Sequence, residues 1–563
     1  MLTLFVTFQA LIQWLVVLAI ILPIGFFLAS RIDTQIKLFD PKSALFGLIA
    51  LVVYINAIHI FVRLNSPIVL TLLSMVSVTA IIIVRKEIVR DVKSSILRQR
   101  SMQFSNRIYL LLALYLANLT LAGIGNYDSA LYHLGIVRYL SESPIIPGLA
   151  NIHSRFGFAS TTYNLGAFFE GGLWSVNGFR LANGFVLLFL IFECSSRLRR
   201  CLSTSTTPGS ILLILATPVI LSIAAKDPWE YVSSPSPDLS AAIVVIIAFA
   251  YLLDSFSTWS SIDIAVAVSV AALAATFRPL NLFALGIISA IACIRFFRQP
   301  KSRKTILIGA IPGISLISTF VLRNIIITGY PIYPGTITLS HPRWQLPFMV
   351  AKSDLEIIGQ WARGMHPLFS TSWFLPVLNQ SKQDFYPMAV FLIVTVLLIH
   401  LNVLKLVPLA PELRRATVLG SVMMGGSFFI WLIGAPTPRF GWGILYSFSI
   451  FPLAILLVSQ QRAAKNYSKY ILVGIFSVLL AQASWVPLQH GRAMIQLSNR
   501  GLPNGFIDIT EPDTAPFKTR SGLVLHTPDD GGDWCYRMPL CTPYPNPDVK
   551  EIYFWGRTGY SVK

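Results

Sequence analysis

Charge is scarce in this sequence. Asp, Glu, Lys and Arg make up 12% of 563 residues, and 25 acids face 44 basic residues. A chain of this length built as several soluble domains needs far more polar surface, so that class is excluded. No glycine-rich phosphate-binding fingerprint is present, which excludes a nucleotide-binding domain between the apolar segments. The five cysteines include no CxxC spacing, so a zinc module has no ligand set. No repeat of fixed period and no low-complexity tract appears. The opening "MLTLFVTFQALIQWL" lacks a basic n-region and a small-residue cleavage site, and reads as a retained first span.

Apolar sequence fills the space. Hydrophobic residues are 54% of the chain and mean hydropathy is +0.66. Runs of roughly 20 apolar residues match the hydrocarbon thickness, and helices satisfy their own backbone in lipid. The expected fold is therefore an all-α polytopic membrane protein with about fourteen spans. These are 3–29, 43–63, 66–84, 108–124, 180–194, 209–225, 239–253, 262–276, 280–294, 305–322, 387–404, 417–434, 441–459 and 470–485.

The formal charge of +19 clusters in 85–100, 197–200, 295–304, 412–415 and 460–469. Those loops alternate with the others, as the positive-inside rule expects, so the excess reads as cytoplasmic anchoring and not as nucleic-acid binding. The remaining loops (124–180, 225–238, the Arg278 turn, 324–386, the 435–440 turn and the tail 486–563) then face outward. The expected organisation is 1–106 as N-terminal helices with a basic loop, 107–485 as the transmembrane core, and 486–563 as an extracytoplasmic tail. In that tail Cys535 and Cys541 are spaced for a small disulfide loop, which an oxidising compartment would preserve; two free thiols are the alternative.

The unusual polar residues gather on the outward side. The first loop carries Asp128, Tyr132, His133, Arg138, His153 and Arg155; the second, "KDPWEYVSSPSPD", carries Asp227, Glu230 and Asp238. Arg278, then Arg323 with Tyr330 and Tyr333, then Arg439 follow in later loops. A charge at membrane depth costs about 2.5–3.5 kcal/mol on insertion scales, so it usually faces a partner or a cavity. Each residue also has a plainer reading. Asp128 and Asp238 precede helical sequence and suit N-caps; the arginines suit interfacial snorkelling; the histidines suit structural roles. Helical spacing puts Tyr132 on the Asp128 face and turns His133 away. The tryptophans 174, 229, 344, 361 and 373 suit either sugar stacking or interface anchoring.

An outward-facing acid among arginines suits group transfer from a lipid-linked phosphate donor. Nucleotide sugars are absent outside the cytoplasm, whereas a polyprenyl-phosphate sugar arrives through the bilayer. Arginines would bind its phosphate bidentately, and a carboxylate would deprotonate the acceptor hydroxyl.

The stretches "YDSALYHLGIVRYL", "PGLANIHSRFGF", "SSPSPD", "RNIIITGYPIYP", "APTPRFG" and "LCTPY" resemble a largely uncharacterised family of bacterial multi-pass proteins related to GT-C integral membrane glycosyltransferases. The resemblance covers residue 107 to the end. It implies a GT-C-like fold in the bacterial cytoplasmic membrane, a polyprenyl-phosphate sugar donor, and a glycan, lipid or protein acceptor. It also implies Asp128 as catalytic base and Asp238, or Asp227 or Glu230, as the second acid. The first acid follows about the fourth span here, where many GT-C enzymes have it after their first. No cofactor is required; a divalent cation (Mg2+ or Mn2+) is compatible, although no acid pair stands at 128. The competing readings are a lipid-diphosphate-dependent polymerase or ligase resting on Arg155, Arg323, Arg439 and His153, a transporter or flippase, and a noncatalytic assembly component. The mostly charge-free spans and the lack of a repeat argue against transport.

Overall fold

The computed structural model describes residues 2–98, 103–203, 206–258, 260–368, 370–401, 408–462, 469–483, 513–536, 539–554 and 556–562. The protein is a helical, multi-pass membrane protein. Ten helices are long and apolar enough to cross a bilayer, or eleven if the pair Pro67–Ile83 and Arg85–Ser94, bent by 81°, is one span. Three shorter apolar helices, Tyr109–Leu119, Ser261–Phe277 and Lys469–Ala483, occupy the other runs read as spans. The ends of the 387–404 and 470–485 runs, and most of the basic stretch 460–469, lie outside the described residues.

Asp238–Ser257 is the central helix: every residue of its best apolar window is buried inside the protein. A helix apolar on all sides has no lipid-facing stripe to spare, so neighbours enclose it. Around it stand Leu181–Ser203, Pro208–Lys226, Ser261–Phe277, Pro411–Gly434 and Pro438–Arg462. Small residues allow this closeness; a Cβ on Gly209 would lie 2.0 Å from the Ala250 carbonyl oxygen. The helices start where sequence signals them. Thr207 and Ser260 accept from the backbone N–H of Ser210 and Asp263, at 3.2 and 3.1 Å. The Arg303–Thr328 helix ends at Gly329, whose φ of +84° suits glycine.

The described part of the C-terminal tail, from residue 513 on, is built from strands. Thr514–Lys518 pairs antiparallel with Val524–Pro528, and Lys550–Phe554 with Arg557–Ser561. A Cys535–Cys541 disulfide, Cα atoms 5.5 Å apart, closes the loop between the two hairpins. This module docks on the loop segment 127–151. Cys535 N–H donates to the Ala130 carbonyl (3.2 Å), Tyr560 N–H to that of Pro147 (2.9 Å), and Leu540 N–H to the Tyr139 hydroxyl (3.0 Å). Gly148 sits at φ +68° beneath it, where a Cβ would strike the Tyr560 carbonyl.

Candidate functional site

The serines of "SSPSPD" explain how two distant acids meet. Ser233 Oγ donates to the Gly123 carbonyl (2.5 Å) and Ser234 Oγ bonds Ser129 Oγ, tying the loop to the first one. Asn183 Nδ2 donates to the carbonyls of Ser234 and Ser236, both at 2.8 Å, and its Oδ1 accepts from Ser240 Oγ at 2.5 Å. These bonds anchor the loop, and Asp238 starts its helix where Arg439 reaches both it and Asp128.

Neither acid caps a helix through its side chain; each faces guanidinium groups. Asp128 Oδ2 accepts from Arg439 Nη2 at 2.9 Å, and its Oδ1 lies 3.8 Å from Arg155 Nη1. Asp238 pairs with Arg278, and its Oδ2 is 3.8 Å from Arg439 Nε. Arg439 thus bridges both carboxylates. Five charges from loops far apart in sequence converge at one end of the bundle, with one cation in excess. Arg278 lies over the Phe440 ring at 4.0 Å, and Arg439 is 5.3 Å from the Trp361 ring centre. The Nε atoms of Arg278 and Arg439 are buried with no hydrogen-bond partner. Burial pushes the Asp128 carboxyl up, but Arg439 and Arg155 outweigh it and hold the group below its ordinary value.

The other predicted residues divide. Tyr132 is buried at the cluster, with Arg155 5.8 Å above its ring. His133 packs edge-on against it at 4.4 Å, and its Nδ1 meets Ser129 Oγ at 3.2 Å. The turn between Asp128 and His133 is a π-helix, Ser129–His133, so the angular offsets expected of an α-helix do not apply. Burial drives the His133 imidazole down to about 3, leaving it neutral. Tyr333 reaches the cluster's edge through Phe158, which contacts both Tyr132 and Tyr333, and donates to Asp354 on Phe348–Ala362.

Several stand elsewhere. Arg323 is buried against His59 Nδ1 (2.7 Å) and Asn164 Oδ1 (3.3 Å). Arg138 pairs with Glu142 at 2.9 Å, and both line a surface recess with Phe156 and the disulfide. Tyr330 donates to the Leu346 carbonyl at 3.0 Å. Asp227 lies 3.7 Å from Lys226, and Glu230 is on the short Pro228–Tyr231 helix. His153 is sealed beneath Tyr544.

Of the tryptophans considered for stacking, Trp361 stands at the cluster; sequence reasoning missed Phe440 and Asp354, which start or sit within helices whose facing partners the sequence does not reveal. It also took Arg197 as part of an anchoring run. Instead Arg197 is fully buried, bonded to Glu193 (3.0 Å) and Asp254, with Tyr251 donating to Glu193 at 2.5 Å. The spans are therefore less free of charge than the sequence suggests; the i,i+4 spacing of Glu193 and Arg197 was the available signal.

Among the described residues no three His, Cys, Asp or Glu side chains converge, and both acids are turned to guanidinium groups. What the arrangement offers is a carboxylate held beside a surplus of anion-binding donors.

Comparison with known proteins defines a class but no activity. The chain belongs to the DUF8201 family, a domain of unknown function, whose model matches residues 8–446. That stretch includes all five charged residues of the cluster. No curated protein matches the chain.

Proposed function

We propose that the protein is a GT-C-type membrane glycosyltransferase that moves a sugar from a polyprenyl-phosphate donor to an extracytoplasmic glycan, lipid or protein acceptor. The observation that carries this reading is the meeting of Asp128 and Asp238 with Arg155, Arg278 and Arg439 at one end of a lipid-embedded bundle. By the positive-inside rule that end faces outward from the bacterial cytoplasmic membrane, since the basic loops lie at the other.

Asp128 accepts the proton of the acceptor hydroxyl as the hydroxyl oxygen attacks the anomeric carbon. The bond from that carbon to the phosphate oxygen breaks, and its electron pair stays on the phosphate. The lipid phosphate leaves with its new charge met by the arginines, which donate to it without reorganising. Before donor binding, Asp128 itself occupies Arg439. A donor phosphate competes for that guanidinium and weakens its hold on the carboxylate, so Asp128 becomes more basic as the donor arrives. The polymerase or ligase reading rests on Arg155, Arg323, Arg439 and His153; Arg155 and Arg439 stand at the acids, whereas Arg323 and His153 are buried away from them.

The test is reconstitution in liposomes with polyprenyl-phosphate sugars. Asp128→Asn should lower transfer by about 10²–10⁴-fold, the usual contribution of a general base, with unchanged elution on size exclusion. Full transfer by that variant sinks the assignment of the base.

A further inference from the structure

Next to the acid–arginine cluster the C-terminal module contributes a second set of groups. Tyr127, the residue before Asp128, donates its hydroxyl to Asp533 Oδ2, and Tyr544 donates to Asp533 Oδ1 at 2.8 Å. Two phenols therefore fix the orientation of one carboxylate, whose remaining lone pairs are free to accept further bonds. Both rings stay in the open: Tyr127 is 53% exposed, Tyr544 55%, and the neighbouring Trp534 39%. Tyr544 stacks on His153 with centroids 5.7 Å apart and planes 24° apart, and both His153 ring nitrogens are buried without a partner. Arg155, two residues on, reaches Asp128 at 3.8 Å.

Exposed aromatic faces around a fixed carboxylate suit one ligand class. The C–H face of a sugar ring packs on Tyr and Trp rings, while its hydroxyls donate to the carboxylate. A lipid would want aliphatic walls, and an extended peptide would want an open strand edge. Neither is what Tyr127, Asp533, Trp534 and Tyr544 present.

We infer that Tyr127, Asp533, Trp534 and Tyr544 form the acceptor subsite, and that the acceptor is a saccharide whose attacking hydroxyl extends from this platform to Asp128. Its role in the reaction rests on the transferase reading, but saccharide binding does not. The C-terminal module then supplies half of the substrate recognition, with the donor phosphate held by the arginines on the other side of Asp128.

The experiment is saturation-transfer NMR on the full chain in nanodiscs, with mannotriose, chitotriose and maltotriose as probes. At least one trisaccharide should receive saturation. Asp533→Asn and Tyr544→Ala should each weaken that binding about 10-fold, the loss of one charge-assisted contact. Tyr544→Phe, which keeps the ring, should retain more binding than Tyr544→Ala. Mass spectrometry of the intact Cys535–Cys541 bridge checks that the module is folded. Asp128→Asn removes the base but none of the four platform side chains, so it should lose transfer while keeping more saccharide binding than Asp533→Asn, and the two losses are read separately. No saturation of any probe, or saturation indifferent to the Asp533 and Tyr544 substitutions in a folded module, overturns the proposal.

Discussion

The two ends of the Asp238–Ser257 helix carry ion clusters built in opposite ways. Asp238 and Asp254 are separated by about 24 Å of helix axis at 1.5 Å per residue. At the Asp254 end one arginine serves two acids: Arg197 and Glu193 are each 1% exposed, Tyr251 and Ser210 add bonds, and the atom left buried without a partner, Asp254 Oδ1, is an acceptor. At the Asp238 end three arginines serve two acids, the side chains of Arg278 and Arg439 are 18% exposed, and two guanidinium nitrogens lack partners. One end is closed, and its charge is consumed in holding helices together. The other keeps donors in reserve, as a site for an incoming anion must. Exposure and the balance of donors and acceptors both set the two ends apart.

Removing an arginine from the closed end should have the largest effect. Arg197→Ala strands Glu193 and Asp254 in the bundle, and breaking such a buried pair costs about 3–5 kcal/mol. The expected result is poor accumulation and a lower thermal midpoint in detergent; a stable Arg197→Ala would erase the contrast. At the open end, Arg439→Gln should leave the thermal midpoint close to wild type while reducing transfer about 10²–10³-fold, as loss of a charge-stabilising donor does. Equal destabilisation by the two substitutions would mean that both ends are structural.

The third test is acidification, which acts through two buried histidines, His133 at the cluster and His153 beneath the C-terminal module. Burial, followed by Arg155, pushes the His153 imidazole down to about 3, as burial does for His133. The unfolded chain binds these protons near pH 6.5 and the folded chain does not. Stability is therefore full above pH 6.5 and falls with pH from there toward 3. Between pH 7.5 and 5 each histidine should cost roughly 2 kcal/mol. His153→Phe should flatten the slope of thermal midpoint against pH; an unchanged slope would remove His153 as a contributor.

How much of this was legible in the sequence follows the kind of signal each part carries. Apolar runs located every long helix, because bilayer thickness sets their length. Loop alternation grouped Asp128, Arg155, Asp238, Arg278 and Arg439 at one end. Alternation says which end a residue occupies but neither its depth nor its direction, so Arg138, Arg323 and Tyr330 were grouped with the others and stand apart. The π-turn after Asp128 lay beyond periodicity, since a single inserted residue leaves no mark in composition. The hairpins of the tail are five-residue strands, one of them "TAPFK" with a central proline, too short and irregular to announce themselves.

Asn183 forms no ion pair, yet its one amide donates two bonds to the "SSPSPD" loop and accepts a third from Ser240 on the helix that the loop enters. Aspartate in its position would lose both donors, and glutamine would overshoot by a methylene. In a genetic screen that scores activity alone, position 183 would be indistinguishable from the reacting residues. Tolerance to substitution in this protein is thus a map of what aims the acids as much as of the acids themselves.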